Sequence, residues 1–292
     1  MRVAVLGANG QLGHDILAAH AAGDGAGLDL VALTRADLDV TDVAAIDTAL
    51  ARHGFDALVN CTSYHRTDEA EDNATLAFTV NAHAVAAMAA HCAGRGARFV
   101  HVSTDYVFGG DRDRATPLDE TAPTAPVNVY GASKAMGETL ARLAHDDTAI
   151  LRVASLFGTA GASGKGGNFV ETMLRLARER GRLKVVDDQV MSPTATADIA
   201  RAVLALLARE AGAGIYHVVN TGSASWYEFA REIVRRAGID AVVEPCSSAE
   251  FPTRAARPRY SALDNARARA ALHDMPDWPD ALQRYLAAKG HV

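Results

Sequence analysis

The sequence predicts an α/β protein in which a doubly wound parallel sheet is followed by a smaller carboxy-terminal lobe. Short β-branched or apolar runs alternate with longer Ala-rich helical patterns throughout the first half of the chain. A glycine-rich turn directly follows the first of these runs and opens the first helical pattern. After residue 154 the alternation becomes less regular, which indicates the beginning of the second lobe.

Five strands and four crossover helices are predicted from this alternation. The strands are expected at residues 2–6, 28–33, 57–60, 97–103 and 148–153. The helices are expected at residues 11–21, 43–53, 74–93 and 130–145. Strands and helices that alternate in this way are typical of a parallel sheet covered on both faces.

The sequence also predicts how the chain divides into two units. Residues 1–154 form a dinucleotide-binding domain that is completed by about 187–220, and residues 155–186 and 221–292 form a substrate-binding lobe. The later helices are expected at 168–180, 196–209 and 226–236, and short strands at 183–186 and 241–243. The Gly-rich segment from Gly158 to Gly167 suggests a mobile flap over the substrate, with a loop of no special role as the alternative.

Composition excludes several classes of protein. The 292 residues carry 29 Lys and Arg against 35 Asp and Glu, a formal net charge of -6, and no basic run suits a nucleic acid. Three cysteines without CxxC spacing indicate a reducing compartment, and the 11 histidines show no metal-ligand spacing. No signal-peptide core and no apolar stretch approaching the ~20 residues that span a bilayer are recognised. We therefore expect a cytoplasmic protein with no metal and no membrane segment.

The turn after the first strand has the features of a dinucleotide-binding loop, so the sheet is predicted to be Rossmann-type. Gly7 permits the tight turn, Gly10 allows the backbone to approach a pyrophosphate, and Gly13 allows close packing of helix and sheet. The helix amino terminus adds N–H groups and a positive dipole end. The intervening Asn9, Gln11 and Leu12 are expected to line the cofactor as well.

The end of the second strand bears on the choice of cofactor. A carboxylate there usually binds the ribose of NAD, but the sequence reads Leu33-Thr34-Arg35. Arg35 could pair a 2'-phosphate, so NADP(H) is favoured. NAD(H) stays open because Arg35 could be a solvated surface residue and Asp39 could serve the ribose instead.

A Tyr-Lys pair in the fourth helix predicts proton transfer. Tyr130 and Lys134 are four residues apart, so their side chains lie on one helix face. A neighbouring ammonium favours the phenolate, which predicts a pKa of Tyr130 brought down towards neutrality. Taken alone, such a pair is most often two residues on a helix surface. Thr104 follows the fourth strand, at the sheet edge where such sites form, and completes a predicted trio.

Together these motifs make the chain resemble the extended short-chain dehydrogenases/reductases, and within them the dTDP-4-dehydrorhamnose reductase family of sugar-nucleotide reductases. The resemblance runs over nearly the whole length and is carried by the glycine turn and by the segments Leu38 to Asp42, Asp68 to Glu71, Ser103 to Phe108, Pro126 to Lys134 and Ser192 to Thr194. It implies NAD(P)H-dependent reduction of the keto group of a nucleotide-linked 4-dehydro-6-deoxysugar.

The resemblance also implies roles for individual residues. Tyr130 would protonate the carbonyl oxygen, Thr104 would hydrogen-bond it, and Lys134 would hold the nicotinamide ribose. Further cofactor contacts are expected from Val40, Cys61, Thr62, Ser63 and Tyr64. Substrate contacts are expected from Asp105, Ser155, Asn168, Phe169 and Tyr260.

Two positions depart from the family pattern. Ser155 stands where the rhamnose enzyme has a tryptophan, and Tyr260 stands where the family has an asparagine. Both changes affect substrate recognition, so the reductase class is predicted more firmly than the sugar. The alternatives are a related sugar-nucleotide epimerase or dehydratase, and a non-catalytic NADP-binding regulatory subunit resembling the β subunit of methionine adenosyltransferase. A homodimer is also open.

Overall fold

The computed structural model describes residues 1–160 and 167–292. The strands are β1 (Arg2–Leu6), β2 (Asp29–Leu33), β3 (Ala57–Asn60), β4 (Arg98–Thr104), β5 (Thr148–Val153), β6 (Leu156–Phe157), β7 (Arg182–Val186), β8 (Val190–Met191), β9 (Thr194–Ala195), β10 (Gly214–His217), β11 (Ala224–Ser225) and β12 (Val242–Cys246). Six of them form the central sheet in the order β10-β5-β4-β3-β1-β2, and all five of its pairings are parallel. The predicted doubly wound sheet is thereby confirmed.

The helices cover both faces of this sheet and build the rest of the molecule. They are α1 (Gln11–Ala21), α2 (Ile46–Leu50), α3 (Thr67–Ala70), α4 (Ala74–Phe78), α5 (Ala84–Arg95), α6 (Val129–Ala144), α7 (Phe169–Arg180), α8 (Thr196–Ala208), α9 (Trp226–Arg236), α10 (Ala266–Ala271) and α11 (Trp278–Ala288). The single helix predicted at 74–93 is divided by a π-helical turn at Thr79–His83. The one predicted at 43–53 is shorter, because a 3-10 turn at Val43–Ala45 precedes α2.

Side chains alternate between two cores on either side of the sheet. Val3 and Val5 of β1 point to the face covered by α1 and α8, whereas Ala4 and Leu6 point to the face covered by α2 and α5. All four are fully buried. A buried sheet of this kind holds the carboxyl ends of its strands in fixed positions along one edge.

A third core joins the later segments of the chain. Phe157, Leu174, Phe229 and Leu282 are buried together, and β7 pairs in parallel with β12 beside them. Helices α7 and α9 both begin with an aromatic residue near this core. The predicted flap from Gly158 to Gly167 falls mainly on residues 161–166, which lie outside the described residues.

One helical run is longer and more apolar than the sequence analysis expected. The run from Ala74 to Arg95 has 22 residues and a mean hydropathy of 1.3, so by length and composition alone it could cross a membrane. This corrects the expectation that no apolar stretch approaches that length. The apolar 18-residue window within this run is 56% buried inside the protein, and its residues Val85 and Met88 pack on the sheet.

Candidate active site

The glycine turn is shaped as a cradle that only glycines can form. Gly7 has a φ of +83°, in the left-handed region that glycine adopts without strain. A Cβ on Gly13 would overlap the carbonyl oxygen of Gly7 and lie 2.8 Å from the Cα of Ala8. The first turn of α1 therefore packs directly on the loop, and a helix amino terminus at this place fits the pyrophosphate of a dinucleotide.

A cavity of about 1000 Å³ lies across the carboxyl ends of the strands. It brings together the whole predicted trio: Thr104, Tyr130 and Lys134. The other predicted residues that line it are Gly7, Asn9, Gly10, Gln11, Leu12, Arg35, Asp39, Val40, Cys61, Thr62, Ser63, Tyr64, Asp105, Ser155, Asn168 and Phe169.

Two predicted site residues lie outside the cavity lining. Gly13 is buried beneath the turn, where it allows the close packing of α1. Tyr260 pairs with the backbone of Val190, and its hydroxyl lies near Ser223. Tyr260 therefore does not line the cavity, where it was expected to contact the substrate.

Arg35 lies at the cavity rim but already has a partner. Its Nη2 is 2.8 Å from the Oδ2 of Asp39, and the Arg35 side chain is 78% exposed. Hydrogen bonds from the Thr41 backbone and from Arg35 lower the pKa of Asp39. The guanidinium and the carboxylate thus occupy the rim together, and the pair leaves most of the Arg35 side chain accessible.

Buried Asn81 fixes the loop that follows β3. Its Oδ1 accepts hydrogen bonds from the backbone N–H of Tyr64 at 2.8 Å and from the Oγ of Ser63 at 3.2 Å. Its Nδ2 donates to the carbonyl oxygen of Tyr64 and to the Oγ of Ser133 on α6. A single amide therefore ties one wall of the cavity to the helix that carries Tyr130.

Helix α6 approaches the sheet closely enough to bring Tyr130 and Lys134 into the cavity. Asn128 caps its first turn by accepting a 2.7 Å hydrogen bond from the N–H of Gly131. A Cβ at Gly131 would overlap the carbonyl oxygen of Tyr106, so the helix could not sit this close with any larger residue there.

The side chains of Thr104 and Ser63 lie beside the Tyr130 hydroxyl in the cavity and favour its charged form. Burial raises the pKa of Tyr130 to about 12, and the nearby Asp105 carboxylate acts in the same direction. The expectation that Lys134 brings this pKa down is wrong in this structure, because the Lys134 side chain is directed at Val102 and His101 and not at the phenol. A phenol with so high a pKa keeps its proton at neutral pH and can donate it.

Lys134 is 1% exposed and points at the underside of the cavity. Its Nζ donates a 2.7 Å hydrogen bond to the carbonyl oxygen of Val102 and lies 3.2 Å from the Nε2 of His101. Burial lowers the pKa of Lys134 to about 8, against the opposing effects of Glu138 and Cys61. His101 was not among the residues predicted for the site.

Two further cavity residues were not predicted to act there. Tyr106 lies edge-on to Tyr130 with ring centroids 5.8 Å apart, and burial raises its pKa. Trp226, the first residue of α9, lies against Phe169, the first residue of α7, with ring centroids 4.6 Å apart. Both rings line the cavity and together form an aromatic wall, defined here as Phe169 and Trp226.

Ser155 also lines the cavity and has an unusual backbone conformation. Its φ of +45° lies in the left-handed region, which is costly for a residue with a Cβ. Such a residue after β5 turns the chain sharply towards β6. Within residues 1–160 and 167–292, no group of three or more His, Cys, Asp or Glu side chains could hold a metal ion.

Comparison with known proteins agrees with this geometry. The family described as the RmlD substrate binding domain matches residues 1–290. A dTDP-4-dehydrorhamnose reductase of Mycobacterium tuberculosis is 42% identical over 291 residues, covering 98% of this chain and 93% of its own. A dTDP-4-keto-6-deoxy-D-glucose reductase of Streptomyces niveus is 39% identical, covering 95% and 94%.

Solved structures show the same similarity. A dTDP-4-dehydrorhamnose reductase of Clostridium acetobutylicum has a TM-score of 0.90 at 35% identity, over 99% of this chain and 100% of that one. Its counterpart from Bacillus anthracis, in complex with NADP, has a TM-score of 0.88 at 36% identity, over 98% and 99%. With the glycine cradle, the trio and this similarity along nearly the whole length, the chain belongs to the dTDP-4-dehydrorhamnose reductase family of sugar-nucleotide reductases.

Proposed function

We propose that this protein reduces the keto group of a dTDP-linked 4-dehydro-6-deoxysugar with NADPH. The observation that carries the proposal is the meeting of Tyr130, Thr104 and Ser63 in the cavity, with a protonated phenol at its centre. Membership of the reductase family supports the same chemistry. A cytoplasmic location, the division into two lobes and a homodimer stay predictions.

The residues present fit NADPH. The turn from Gly7 to Leu12 and the start of α1 would hold the pyrophosphate, and Arg35 would pair the 2'-phosphate. Lys134, which lines the same cavity, would hold the nicotinamide ribose. When bound, NADPH supplies the hydride that a carbonyl carbon accepts.

The chain's own contribution is to hold and move a proton at the carbonyl oxygen. Tyr130 donates its phenolic proton to that oxygen as negative charge develops there. The Oγ1 of Thr104 accepts a 3.2 Å hydrogen bond from the N–H of Tyr106, which holds it in place. Its hydroxyl proton, which points to Asp105 in this structure, would turn to hydrogen-bond the same carbonyl oxygen. Donors that are already fixed around the oxygen stabilise such charge more than freely rotating donors in bulk water.

The aromatic wall suits the nucleobase of the substrate. Phe169 is supported from behind by Phe229, whose ring is stacked on it at 5.6 Å. A flat base could stack on Trp226 or Phe169, and Thr172 lies beside them in the cavity lining. In this arrangement the sugar would extend from the aromatic wall towards Tyr130, past the short side chain of Ser155.

The test is oxidation of NADPH, followed at 340 nm, with dTDP-4-dehydrorhamnose and dTDP-4-keto-6-deoxyglucose. Tyr130→Phe should lower kcat by about 100-fold or more, because it removes the proton donor, and should leave NADPH binding intact. Tyr227→Phe, on α9 with its ring against Arg231, is the matched control and should keep full activity.

Two results would contradict the proposal. The first is undiminished turnover by Tyr130→Phe. The second is tight NADPH binding by the wild type with no turnover of any dehydro-sugar, which would favour the regulatory-subunit alternative. An epimerase would instead interconvert its sugars with no net oxidation of NADPH.

A further inference from the structure

The orientation of the Asn60 amide is fixed by its neighbours. The backbone N–H of Thr62 donates a 2.9 Å hydrogen bond to the Oδ1 of Asn60, and the Thr62 hydroxyl donates to the same atom. A backbone N–H can only donate, so the acceptor atom is the carbonyl oxygen of the amide. The Nδ2 of Asn60, which can only donate, therefore faces the Nδ1 of His101 at 3.1 Å.

This contact fixes the tautomer of His101. Its Nδ1 must accept from Asn60, so in the neutral ring the proton is on Nε2. The ring is fully buried on β4, and burial holds the pKa of His101 well below its usual value, and the ammonium form of Lys134 lowers it further. The Nε2–H of a neutral imidazole consequently points at the Nζ of Lys134, 3.2 Å away.

An ammonium does not fit this arrangement. Protonated Nζ has only donors, and it would face a second donor at Nε2. An uncharged amine has a lone pair that accepts from Nε2–H while one of its own protons goes to the carbonyl oxygen of Val102. The contact between the Nζ of Lys134 and the Nε2 of His101 is therefore the one that an uncharged amine makes.

We propose that His101 is a positioning residue for Lys134: its Nε2–H donates to the Nζ of the uncharged amine, and uptake of a proton by Lys134 breaks this contact. The ammonium is then free to turn from the underside of the cavity towards Tyr130. This role rests on the proposed reductase function, in which the phenolate left by Tyr130 must regain a proton, and an ammonium beside it can supply one.

The other groups that face Lys134 act in the opposite direction. Glu138 on α6 favours the ammonium, but its carboxylate is already taken by Arg152 on β5 at 2.7 Å and by Ser103. Cys61 after β3 also favours it, but burial raises the pKa of that thiol to about 12, so it is uncharged. Burial lowers the pKa of Lys134 to about 8, so the amine and the ammonium exchange just above neutrality.

The experiment uses the small number of lysines in this chain: Lys134, Lys165, Lys184 and Lys289. Protein labelled with ¹³C-lysine is titrated from pH 6 to 11 by NMR, and the Lys134 signal is assigned by its loss in Lys134→Arg. We expect a midpoint near 8 for Lys134. The midpoint of exposed Lys184 should be much higher, because its ion pair with Glu250 raises its pKa. A ¹⁵N imidazole spectrum should show His101 protonated on Nε2.

Variants separate positioning from general stability. His101→Gln can turn its amide oxygen to Nζ and accept from the ammonium, so the Lys134 midpoint should rise by about one pH unit or more. His91→Gln is the matched control, because His91 is another buried histidine but contacts Asp47 instead. It should leave the Lys134 midpoint unchanged.

Three outcomes would overturn the inference: a Lys134 midpoint above about 10 in the wild type, the Nδ1–H tautomer at His101, or an unchanged midpoint in His101→Gln. The first two are measured on the wild type, so they decide the matter even if the variant fails to fold. None of these measurements needs turnover. If these measurements contradict the His101–Lys134 contact, the reductase proposal is unaffected. If the protein shows no reductase activity, the contact can still be tested by the same measurements.

Discussion

The Oγ of Ser261 donates a 2.6 Å hydrogen bond to the Oδ2 of Asp105, which joins a carboxy-terminal segment to the residue that follows β4. The other oxygen of Asp105 lies 3.1 Å from the Oγ1 of Thr104. Asp105 is 3% exposed, and burial raises its pKa to about 6 although both hydroxyls favour the charged form. The placement of Thr104 thus depends on the protonation of a buried carboxyl group and on the tail of the chain.

The raised pKa of Asp105 makes stability depend on pH. Between the unfolded pKa of 3.8 and the folded pKa of about 6, the folded state binds more protons, so the free energy of unfolding contributed by Asp105 falls as pH rises. Asp105→Asn stays neutral and avoids this loss. We expect its Tm to exceed that of the wild type by about 2–4 °C at pH 8 and by much less at pH 4.5.

Differential scanning calorimetry at the two pH values checks this prediction. Asp113→Asn, on the exposed segment after β4, is the control and should show no pH-dependent difference. The prediction is contradicted if the Tm difference between Asp105→Asn and the wild type is smaller at pH 8 than at pH 4.5. That result would mean that the charged carboxylate stabilises the fold.

Gly13 is expected to tolerate no side chain. In Gly13→Ala the Cβ would overlap the carbonyl oxygen of Gly7, so the turn must shift away from its cradle shape. We expect the Kd for NADPH, measured by fluorescence, to rise by about tenfold or more, and overpacking of about 1–3 kcal/mol to lower Tm. Gly94→Ala is the matched control, since its Cβ would meet nothing within 4 Å and it lies in α5. That control should leave NADPH binding unchanged and raise stability by about 0.5–1 kcal/mol.

The Arg35–Asp39 pair should control cofactor preference. Arg35→Ala removes the cation proposed for the 2'-phosphate, so the KM for NADPH should rise by about tenfold while that for NADH changes little. Asp39→Asn should release Arg35 from its 2.8 Å contact and lower the KM for NADPH. Steady-state kinetics with both cofactors measure this. Equal changes for NADPH and NADH in Arg35→Ala would show that Arg35 does not contact the 2'-phosphate.

The aromatic wall should contribute to substrate affinity more than to the chemical step. Trp226→Ala removes a stacking face, and base–aromatic stacking is worth about 1–3 kcal/mol, so KM for the nucleotide sugar should rise by about tenfold or more with a smaller change in kcat. Trp226→Phe keeps a ring and should recover most of the affinity. Trp278→Phe, whose indole packs edge-on against Phe229 outside the cavity lining, is the control. An unchanged KM in Trp226→Ala would place the base elsewhere.

Local signals account for much of what the sequence predicted. The five strands and the glycine turn were recognisable because hydrophobic periodicity and turn composition depend on residues that are adjacent in the sequence. Strand β10 was missed because its four residues, Gly214 to His217, form too short a run to stand out. Trp226 and His101 carried no motif of their own, so only proximity could reveal them.

The sequence by itself determined the fold class and the dinucleotide cradle. It also predicted Thr104 at the active edge, because the carboxyl ends of parallel strands share one edge, and Tyr130 and Lys134 on one face of the next helix, because they are four residues apart. Only the tertiary structure decided the charge states. The pKa of Tyr130 rises instead of falling because burial removes water from the phenol, and Lys134 turns to His101 because β4 passes beneath α6. Desolvation and the direction of a buried hydrogen bond depend on every segment packed around a group, and no single stretch of sequence contains that information.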